Sequence, residues 1–229
     1  MIEIIIMEPE IPGNIGAIAR AMKNFGYENL LLVNPCEINQ EAKNRAKHAQ
    51  NVLKNAEILE RDEFEWDDYN LLVGTTGIMS NEYKVLRNSI TPKKLREKLS
   101  RVEGDIGIVF GREGIGLRNE ELKKCDLVTH IPTSEEYPIM NLSHSVTIFL
   151  YELSQEKDGE LYQLMGKNEK KTMLKVFKYL VEKVNYKDYR KDKTYQIFRN
   201  IIGRGMISKR ESHTLIGFLK TLMRNVDKR

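Results

Sequence analysis

Few of the residues and motifs that identify common protein classes occur in this sequence. It has only two cysteines, Cys36 and Cys125, and no Cys-x-x-Cys pair, so nothing indicates a disulfide framework or a zinc site. No run of 18 or more apolar residues occurs, and we therefore expect no membrane span. The glycine fingerprints of dinucleotide-binding and P-loop proteins are also missing. These absences predict a cytoplasmic protein with free thiols and no bound metal.

Charge is distributed unevenly along the 229 residues. From position 167 to the end, 18 Lys and Arg stand against 6 Asp and Glu, a net charge of +12, whereas the first 166 residues have a net charge of −8. A basic segment joined to an acidic one is typical of a catalytic body with an attachment that binds a polyanion. Lysine-rich helix faces that are simply solvated would give the same counts, so both interpretations stay open here.

Short apolar segments alternate with helical patterns through the first 150 residues. The segments are rich in Ile, Val and Leu without polar alternation, which is typical of parallel strands covered on both faces. This order of elements predicts an α/β domain with a mostly parallel sheet flanked by helices. We predict strands at residues 2–7, 30–33, 71–74, 106–110 and 127–131, and helices at 15–25, within 39–55, at 92–99 and at 141–155.

Beyond residue 159 the pattern is helical and basic. Apolar residues recur at helical spacing within 173–184 and within 215–223. The stretch 185–194 between them is rich in Tyr and Lys and is predicted to be a loop. We therefore divide the chain into a sheet domain, residues 1–158, and a basic helical extension, residues 159–229.

Three segments carry residues suited to chemistry. The first, residues 12–26, follows the first predicted strand and begins a helix for which Asn14 is the expected N-cap. Arg20 lies outside the apolar stripe of this helix, and Gly16, one turn earlier, is expected to leave room beside the guanidinium. A helix arginine is usually a surface residue, but this one lies near the carboxyl end of a strand, which leaves a functional role open.

The second segment, Ile106-Gly-Ile-Val-Phe-Gly-Arg-Glu-Gly-Ile-Gly-Leu117, joins a strand to a glycine-rich turn. Such a turn at the carboxyl end of a strand is where open α/β sheets bind ligands. Arg112 and Glu113 within it could form a surface ion pair or orient a substrate. The third segment, residues 131–145, is a prolyl loop followed by a helix that begins at Asn141, another good N-cap. His144 in its first turn is expected to be structural rather than catalytic.

Together these segments resemble a known family. N-x-G-x-x-A-R, F-G-R-E-G-x-G-L and I-P-x…P-x-M-N-L-S-H-S, in this order, are similar to the three motifs of the SPOUT RNA methyltransferases. Within the TrmH-like group of that family, the pattern resembles the TrmJ-type tRNA ribose 2′-O-methyltransferases, which also carry a basic helical tail. The resemblance covers residues 1–155. It implies a deep C-terminal trefoil knot, S-adenosylmethionine as cofactor, a homodimer with the active site between subunits, and nucleotide 32 of the tRNA anticodon loop as methyl acceptor.

The resemblance also assigns roles to residues. Arg20 is the implied catalytic residue, supported by Asn14, Glu113 and Asn141. Tyr186, Tyr189 and Tyr195 of the extension could stack on unpaired bases, although each could equally pack the extension against the body. The implied cofactor-binding residues are Thr75, Thr76, Gly77, Gly111, Glu113, Gly114, Ile131, Ile139, Met140 and Asn141. The implied RNA-binding residues are Arg20, Arg112, Lys187, Arg190, Lys191 and Lys193.

The mechanism that the resemblance implies has one weak point in this sequence. Arg20 would draw the proton from a ribose 2′-hydroxyl, yet a guanidinium stays protonated in proteins, so it could equally stabilise the developing alkoxide or grip a phosphate. Ribose methylases of this group often carry Ser two residues before the third-motif Asn, where this chain has Ile139. A non-catalytic RNA-binding protein of the same fold is therefore the alternative. A nucleotide-dependent enzyme with a Rossmann-like sheet is disfavoured by the missing phosphate fingerprints.

Overall fold

The computed structural model describes residues 1–77, 89–155 and 161–227. Within these ranges the centre of the fold is a parallel six-stranded sheet in the order β3-β2-β1-β6-β4-β7. A short pair, β5 and β8, forms a separate two-stranded sheet. The strands are β1 (Ile2–Met7), β2 (Leu30–Val33), β3 (Glu57–Leu59), β4 (Leu71–Thr76), β5 (Val102–Glu103), β6 (Ile106–Phe110), β7 (Leu127–His130) and β8 (Tyr162–Gln163).

All five predicted strands are confirmed, with β4 two residues longer and β7 one residue shorter than predicted. Three strands were not predicted, because β3 has three residues and β5 and β8 have two each, too few to show a periodicity. The residues of β1 alternate between two cores: Ile4 and Ile6 belong to one, and Ile5 and Met7 to the other. Both faces of the sheet are therefore covered, as the lack of polar alternation indicates.

Helices cover the sheet on both sides. The first core includes residues of α1, α4 and α6, and the second includes Leu122 of α5. None of the helices in the described ranges is both long and apolar enough to span a membrane. The helices are α1 (Pro12–Asn24), α2 (Gln40–Ala46), α3 (Gln50–Lys54), α4 (Pro92–Leu99), α5 (Asn119–Lys124), α6 (Leu142–Leu153), α7 (Lys167–Lys183), α8 (Asp188–Gly205) and α9 (Lys209–Asp227), with a 3₁₀ turn at Lys47–Ala49.

The extension differs from the prediction in one element. The stretch 185–194 was predicted to be a loop, but α8 already begins at Asp188. The first turns of α8 are exposed almost throughout, so they carry no apolar periodicity from which a helix could be recognised. Further along, Phe198 of α8 stacks on Phe177 of α7, with ring centroids 3.7 Å apart. That contact anchors the part of the helix that does pack.

The extension has an apolar core of its own but also joins the sheet domain. Met173, Ile202 and Leu219 belong to a cluster formed by α7, α8 and α9. Leu164 and Met206, in contrast, pack into the main core on the α1 side of the sheet. β8 of the extension pairs with β5 of the sheet domain. The predicted domain boundary at residue 158 lies outside the described residues and stays a prediction. The described part of the extension packs against the sheet domain through Leu164, Met206 and β8.

Candidate active site

Loops at the carboxyl edge of the sheet surround a cavity of about 580 Å³. They follow β4, β6 and β7, and parallel strands that lie side by side end at the same edge. The structure brings nine of the ten residues predicted to bind the cofactor to the wall of this cavity: Thr75, Thr76, Gly77, Gly111, Glu113, Gly114, Ile131, Ile139 and Met140. The tenth, Asn141, immediately precedes α6.

The glycine-rich turn is closed so tightly that side chains are excluded from its crossing point. A Cβ on Gly111 would lie 2.0 Å from the carbonyl carbon of Gly116, so only glycine permits this approach. Gly116 has a φ of 66°, in the left-handed region. Its N–H donates to the carbonyl of Arg112 at 3.0 Å. The turn is therefore a fixed backbone ring on the cavity wall.

One residue from each of the three motifs takes part in a single hydrogen-bonded chain. Asn141 Oδ1 accepts from the N–H of Ser143 at 2.9 Å, as an N-cap does, which confirms the predicted start of α6. Asn141 Nδ2 then donates to Asn14 Oδ1 at 3.1 Å, and Asn14 Nδ2 donates to Glu113 Oε1 at 3.0 Å. Because an amide has one donor end and one acceptor end, the cap on α6 fixes the orientation of both asparagines.

The prediction that Asn14 caps α1 is wrong. The helix begins at Pro12, and Asn14 lies within its first turn with only 8% of its surface exposed. The N–H groups of Glu10 and Ile11 donate instead to the Glu113 carboxylate, at 2.9 and 3.2 Å. Glu113, from a loop about one hundred residues away, thus binds the segment that leads into α1, and its carboxylate lies at the end of the helix where the dipole favours negative charge.

Arg112 occupies a buried site that does not fit the predicted RNA contact. Its side chain is 2% exposed, and its Nε lies 2.7 Å from Glu8 Oε2. Its two terminal nitrogens bind the carboxylate of Glu121 at 2.8 and 2.9 Å. Hydrogen bonding to Glu121 raises the pKa of Arg112. Burial alone would raise the pKa of Glu121, but hydrogen bonds from Arg112 and the N–H of Arg118 leave it below its ordinary value.

Arg20 is exposed on α1, as its place outside the apolar stripe predicts. It is not among the described residues that line the cavity, and it lies about 9 Å further along the helix than Asn14. Gly16 has a different role from the predicted one. A Cβ at Gly16 would lie 2.1 Å from the carbonyl oxygen of Ala42. Its small size therefore permits α2 to pack on α1, instead of leaving room for the guanidinium.

Some polar residues of the cavity wall were not predicted. Ser145 follows Asn141 by one helical turn, and that spacing is the signal that could have identified it. Its hydroxyl donates to the carbonyl of Asn141 at 3.2 Å. Ile139, at the position where related methylases often carry Ser, is 47% exposed. The polar wall residues missing from the sequence prediction are Ser89, Asn119, Thr133 and Ser145.

The predicted RNA-binding residues of the extension lie in α8 and just before it. Lys191 is less available than the others, because its ammonium lies 3.3 Å from the carboxylate of Glu182. Tyr195 is half-buried, with the ammonium of Lys178 5.8 Å from its ring centre. The exposed members are Tyr186, Lys187, Tyr189, Arg190 and Lys193.

Comparison with known proteins identifies the family. Residues 1–151 match the SpoU rRNA Methylase family. The chain belongs to this family. A relative of this SpoU methylase, the tRNA (cytidine-2'-O-)-methyltransferase TrmJ of Methanocaldococcus jannaschii, is 40% identical over 228 residues, covering 96% of this chain and 99% of the relative.

Solved structures agree with this membership. The crystal structure of TrmJ from Z. mobilis ZM4 has a TM-score of 0.77 at 26% identity and covers 97% of this chain and 99% of its own. A more distant neighbour, an AdoMet-bound rRNA methyltransferase from Sinorhizobium meliloti, has a TM-score of 0.53 at 18% identity and covers 66% of this chain and 55% of its own. SpoU methylases depend on S-adenosylmethionine. The sheet of this chain is thus the sheet of a methyltransferase, as the sequence motifs predict.

Proposed function

We propose that this SpoU methylase methylates a ribose 2′-hydroxyl of tRNA, at nucleotide 32 of the anticodon loop, with S-adenosylmethionine as methyl donor. The observation that carries the proposal is the chain Asn141–Asn14–Glu113, which links all three motifs beside the cavity. The activity named for the M. jannaschii relative supports tRNA and its ribose as the substrate class.

The cavity fits the cofactor. Its volume of about 580 Å³ lies in the range of small-molecule sites. Backbone groups of the Gly111–Gly116 turn would bind the polar groups of the cofactor, since glycines have no side chain to cover the backbone. Ile139, Met140 and Phe149 offer apolar wall for the adenine ring. When bound, S-adenosylmethionine supplies an electrophilic methyl group, so the protein's main task is to position and activate the ribose hydroxyl.

Arg20 is proposed to act on that hydroxyl. Since the guanidinium stays protonated, its proposed contribution is to stabilise the developing alkoxide and to hold the neighbouring phosphate with its fork of donors. Asn14 and Asn141 would keep the start of α1 and the start of α6 at a fixed separation. Glu113, which accepts three hydrogen bonds from the segment before and within α1, would hold the cofactor turn against the same helix.

A homodimer with the active site between subunits is part of the proposal. Arg20 is not among the described residues that line the cavity of its own chain. Arg20 of a second copy, approaching along the carboxyl edge of the sheet, would complete the site. We further propose that the C-terminal part of the sheet domain is tied in the trefoil knot of the SPOUT fold. A cytoplasmic location, where tRNA is found, belongs to the same proposal.

The extension, residues 159–229, is proposed to bind the tRNA. Its exposed Lys and Arg side chains would gain affinity by releasing counterions from the RNA backbone. Tyr186 and Tyr189 are exposed beside Lys187 and Arg190, and their rings could stack on unpaired anticodon-loop bases. Lys191 would contribute less, because Glu182 competes for its ammonium.

The test is mass spectrometric mapping of 2′-O-methylation on unmodified tRNA incubated with the protein and S-adenosylmethionine. We expect one methyl group on one anticodon-loop ribose, and none with Arg20→Ala. Arg101→Ala is the matched control, because Arg101 is also exposed but directly precedes β5 of the separate two-stranded sheet. It should methylate like the wild type.

Two results would count against the proposal. Methylation at another nucleotide of tRNA would support the proposed reaction but contradict the proposed target nucleotide. A protein that binds both S-adenosylhomocysteine and tRNA yet never transfers the methyl group would favour the non-catalytic RNA-binding protein, with Ile139 as the first position to examine.

A further inference from the structure

Arg112 and Glu113 are consecutive residues that fasten the glycine-rich turn to the same neighbouring segment, the β1–α1 loop. Glu113 accepts hydrogen bonds from the N–H groups of Glu10 and Ile11. Arg112 donates through Nε to Glu8 at 2.7 Å. The turn therefore binds the β1–α1 loop, residues 8–11, at two places: through the buried guanidinium of Arg112 and through the carboxylate of Glu113.

We propose that Arg112 is a positioning residue for methyl transfer. In this assignment its guanidinium sets the distance between the cofactor turn and the start of α1, so that Glu113 reaches Asn14. The proposal rests on the cofactor site of the proposed function and replaces the RNA contact predicted from the sequence. Arg112 lies in the cavity wall, but its side chain is 2% exposed and all three guanidinium nitrogens bind Glu8 or Glu121. In this assignment it therefore acts through the two loops that it joins.

The geometry of the guanidinium supports this role. Two of its nitrogens bind Glu121 in parallel, one also lies 3.4 Å from the carbonyl of Gly116, and the third binds Glu8. Such a fork fixes direction as well as distance, which a lysine ammonium cannot reproduce. Glu121 is itself held, because it accepts from the N–H of Arg118 at 2.7 Å.

Glu8 shows how strongly the loop is constrained. It is a non-glycine residue with a φ of 47°, in the left-handed region that side chains disfavour. Such a conformation persists only where the surroundings hold it. Here the N–H of Glu8 donates to the carbonyl of Val33 at 2.7 Å, and its carboxylate binds Arg112 and Arg61. Both ends of the residue are therefore tied at the point where β1 leaves the sheet.

Two other roles for Arg112 make different predictions. An arginine that only stabilises the fold would change the unfolding temperature without changing ligand affinity in the folded protein. An arginine that contacts RNA phosphate would change tRNA affinity and its salt dependence without changing cofactor affinity. A positioning residue changes cofactor affinity and turnover and leaves the salt dependence of tRNA binding alone.

The experiment compares full-length Arg112→Lys, Arg112→Met and Glu8→Gln with the wild type. Arg61→Met is the matched control, because Arg61 binds the same two carboxylates but is 48% exposed. Calorimetric titration with S-adenosylhomocysteine gives cofactor affinity, and filter binding at several salt concentrations gives tRNA affinity. Thermal unfolding establishes the temperature range in which each variant is folded. Glu8→Gln keeps a hydrogen-bond acceptor for Arg112. It therefore tests the contact between Arg112 and residue 8 even if Arg112→Met does not fold.

We expect Arg112→Lys to weaken S-adenosylhomocysteine binding about tenfold and to lower kcat by up to about 100-fold, the effect of misplacing reacting groups by about 1 Å. Glu8→Gln should act in the same direction with a smaller change, and Arg61→Met should have neither effect. Unchanged cofactor affinity in both folded Arg112→Lys and Glu8→Gln would overturn the proposal. If the wild type transfers no methyl group to tRNA, the proposed function fails, but the titration with S-adenosylhomocysteine still decides the role of Arg112.

Discussion

The ammonium of Lys170 lies 2.8 Å from Oδ2 of Asp126, and both side chains are almost completely buried. Asp126 stands between α5 and β7 of the sheet domain, whereas Lys170 belongs to α7 of the extension. The same carboxylate accepts the N–H of Leu72 in β4 at 2.8 Å. Arg199 of α8 lies 3.5 Å from its other oxygen. The extension is thus joined to two strands beside the cavity by buried charge, and part of its positive charge is used internally.

Replacement of Asp126 by Ala should therefore destabilise the whole chain. It leaves Lys170 without its partner in a buried site, and breaking one side of a buried ion pair costs about 3–5 kcal/mol. The measurement is the free energy of unfolding in urea. Lys171→Ala is the control, because the Lys171–Asp68 pair is only 2.6 Å long but exposed on both sides, and it should have a much smaller effect. Equal losses for the two variants would contradict the structural role of Asp126.

Removal of positive charge from α8, or from Lys187 just before it, should weaken tRNA binding without affecting cofactor binding. The slope of log affinity against log salt should fall by about 0.7–0.9 for each RNA phosphate that the protein no longer neutralises. We expect this for Arg190→Ala and Lys187→Ala, whose side chains are exposed. Lys191→Ala should have a smaller effect, since its ammonium already binds Glu182. A larger effect for Lys191→Ala than for Arg190→Ala would show that the pair with Glu182 opens when tRNA binds.

Much of this fold could be predicted from the sequence because its signals are local. Strands β1, β2 and β6 were recognised to the residue, since each is a short and predominantly apolar segment. The site was harder, because its contacts join distant parts of the chain. Asn14 is of a residue type that often caps helices, yet its side chain donates a hydrogen bond to Glu113, which lies in another loop. In the sequence Lys170 is one more positive charge of the basic extension. Only the three-dimensional structure shows that it forms a buried ion pair with Asp126.

Gly111→Ala should prevent the cofactor turn from forming. The new Cβ would lie 2.0 Å from the backbone of Gly116, and no flexible side chain can move aside to relieve that contact. We expect a lower unfolding temperature without cofactor and no measurable binding of S-adenosylhomocysteine. Gly114→Ala is the matched control, because a Cβ there meets no atom within 4 Å. Its unfolding temperature should equal that of the wild type, so a drop as large as that of Gly111→Ala would refute the steric argument.

The ion pairs of Arg112 should make stability depend on pH in the acid range. The hydrogen bond from Arg112 lowers the pKa of Glu8, and the pKa of Glu121 is also below its ordinary value of 4.5. A lowered folded-state pKa contributes stability that is present above that ordinary value and is lost as the pH falls through the folded pKa. The unfolding free-energy gap between wild type and Arg112→Met should therefore shrink below about pH 4.5. A gap that stays constant during acid titration would contradict this account.

Asn14→Asp tests the orientation of the hydrogen-bonded chain across the motifs. Asn14 donates to Glu113 at 3.0 Å, and an aspartate there would instead place two carboxylates in contact. One of them must then hold a proton, so its pKa rises above the ordinary value. Stability gained by that proton is present at low pH and is lost as the pH rises through the raised pKa.

Asn14→Asp should accordingly be more stable, and bind S-adenosylhomocysteine more tightly, at pH 5 than at pH 8. Asn14→Ala removes the same hydrogen bond without adding a charge, so it should lose about 1–3 kcal/mol at either pH. Unfolding in urea at the two pH values separates the variants. If the difference in unfolding free energy between the two variants were the same at pH 5 and at pH 8, the Asn14 amide would not donate to Glu113 in solution.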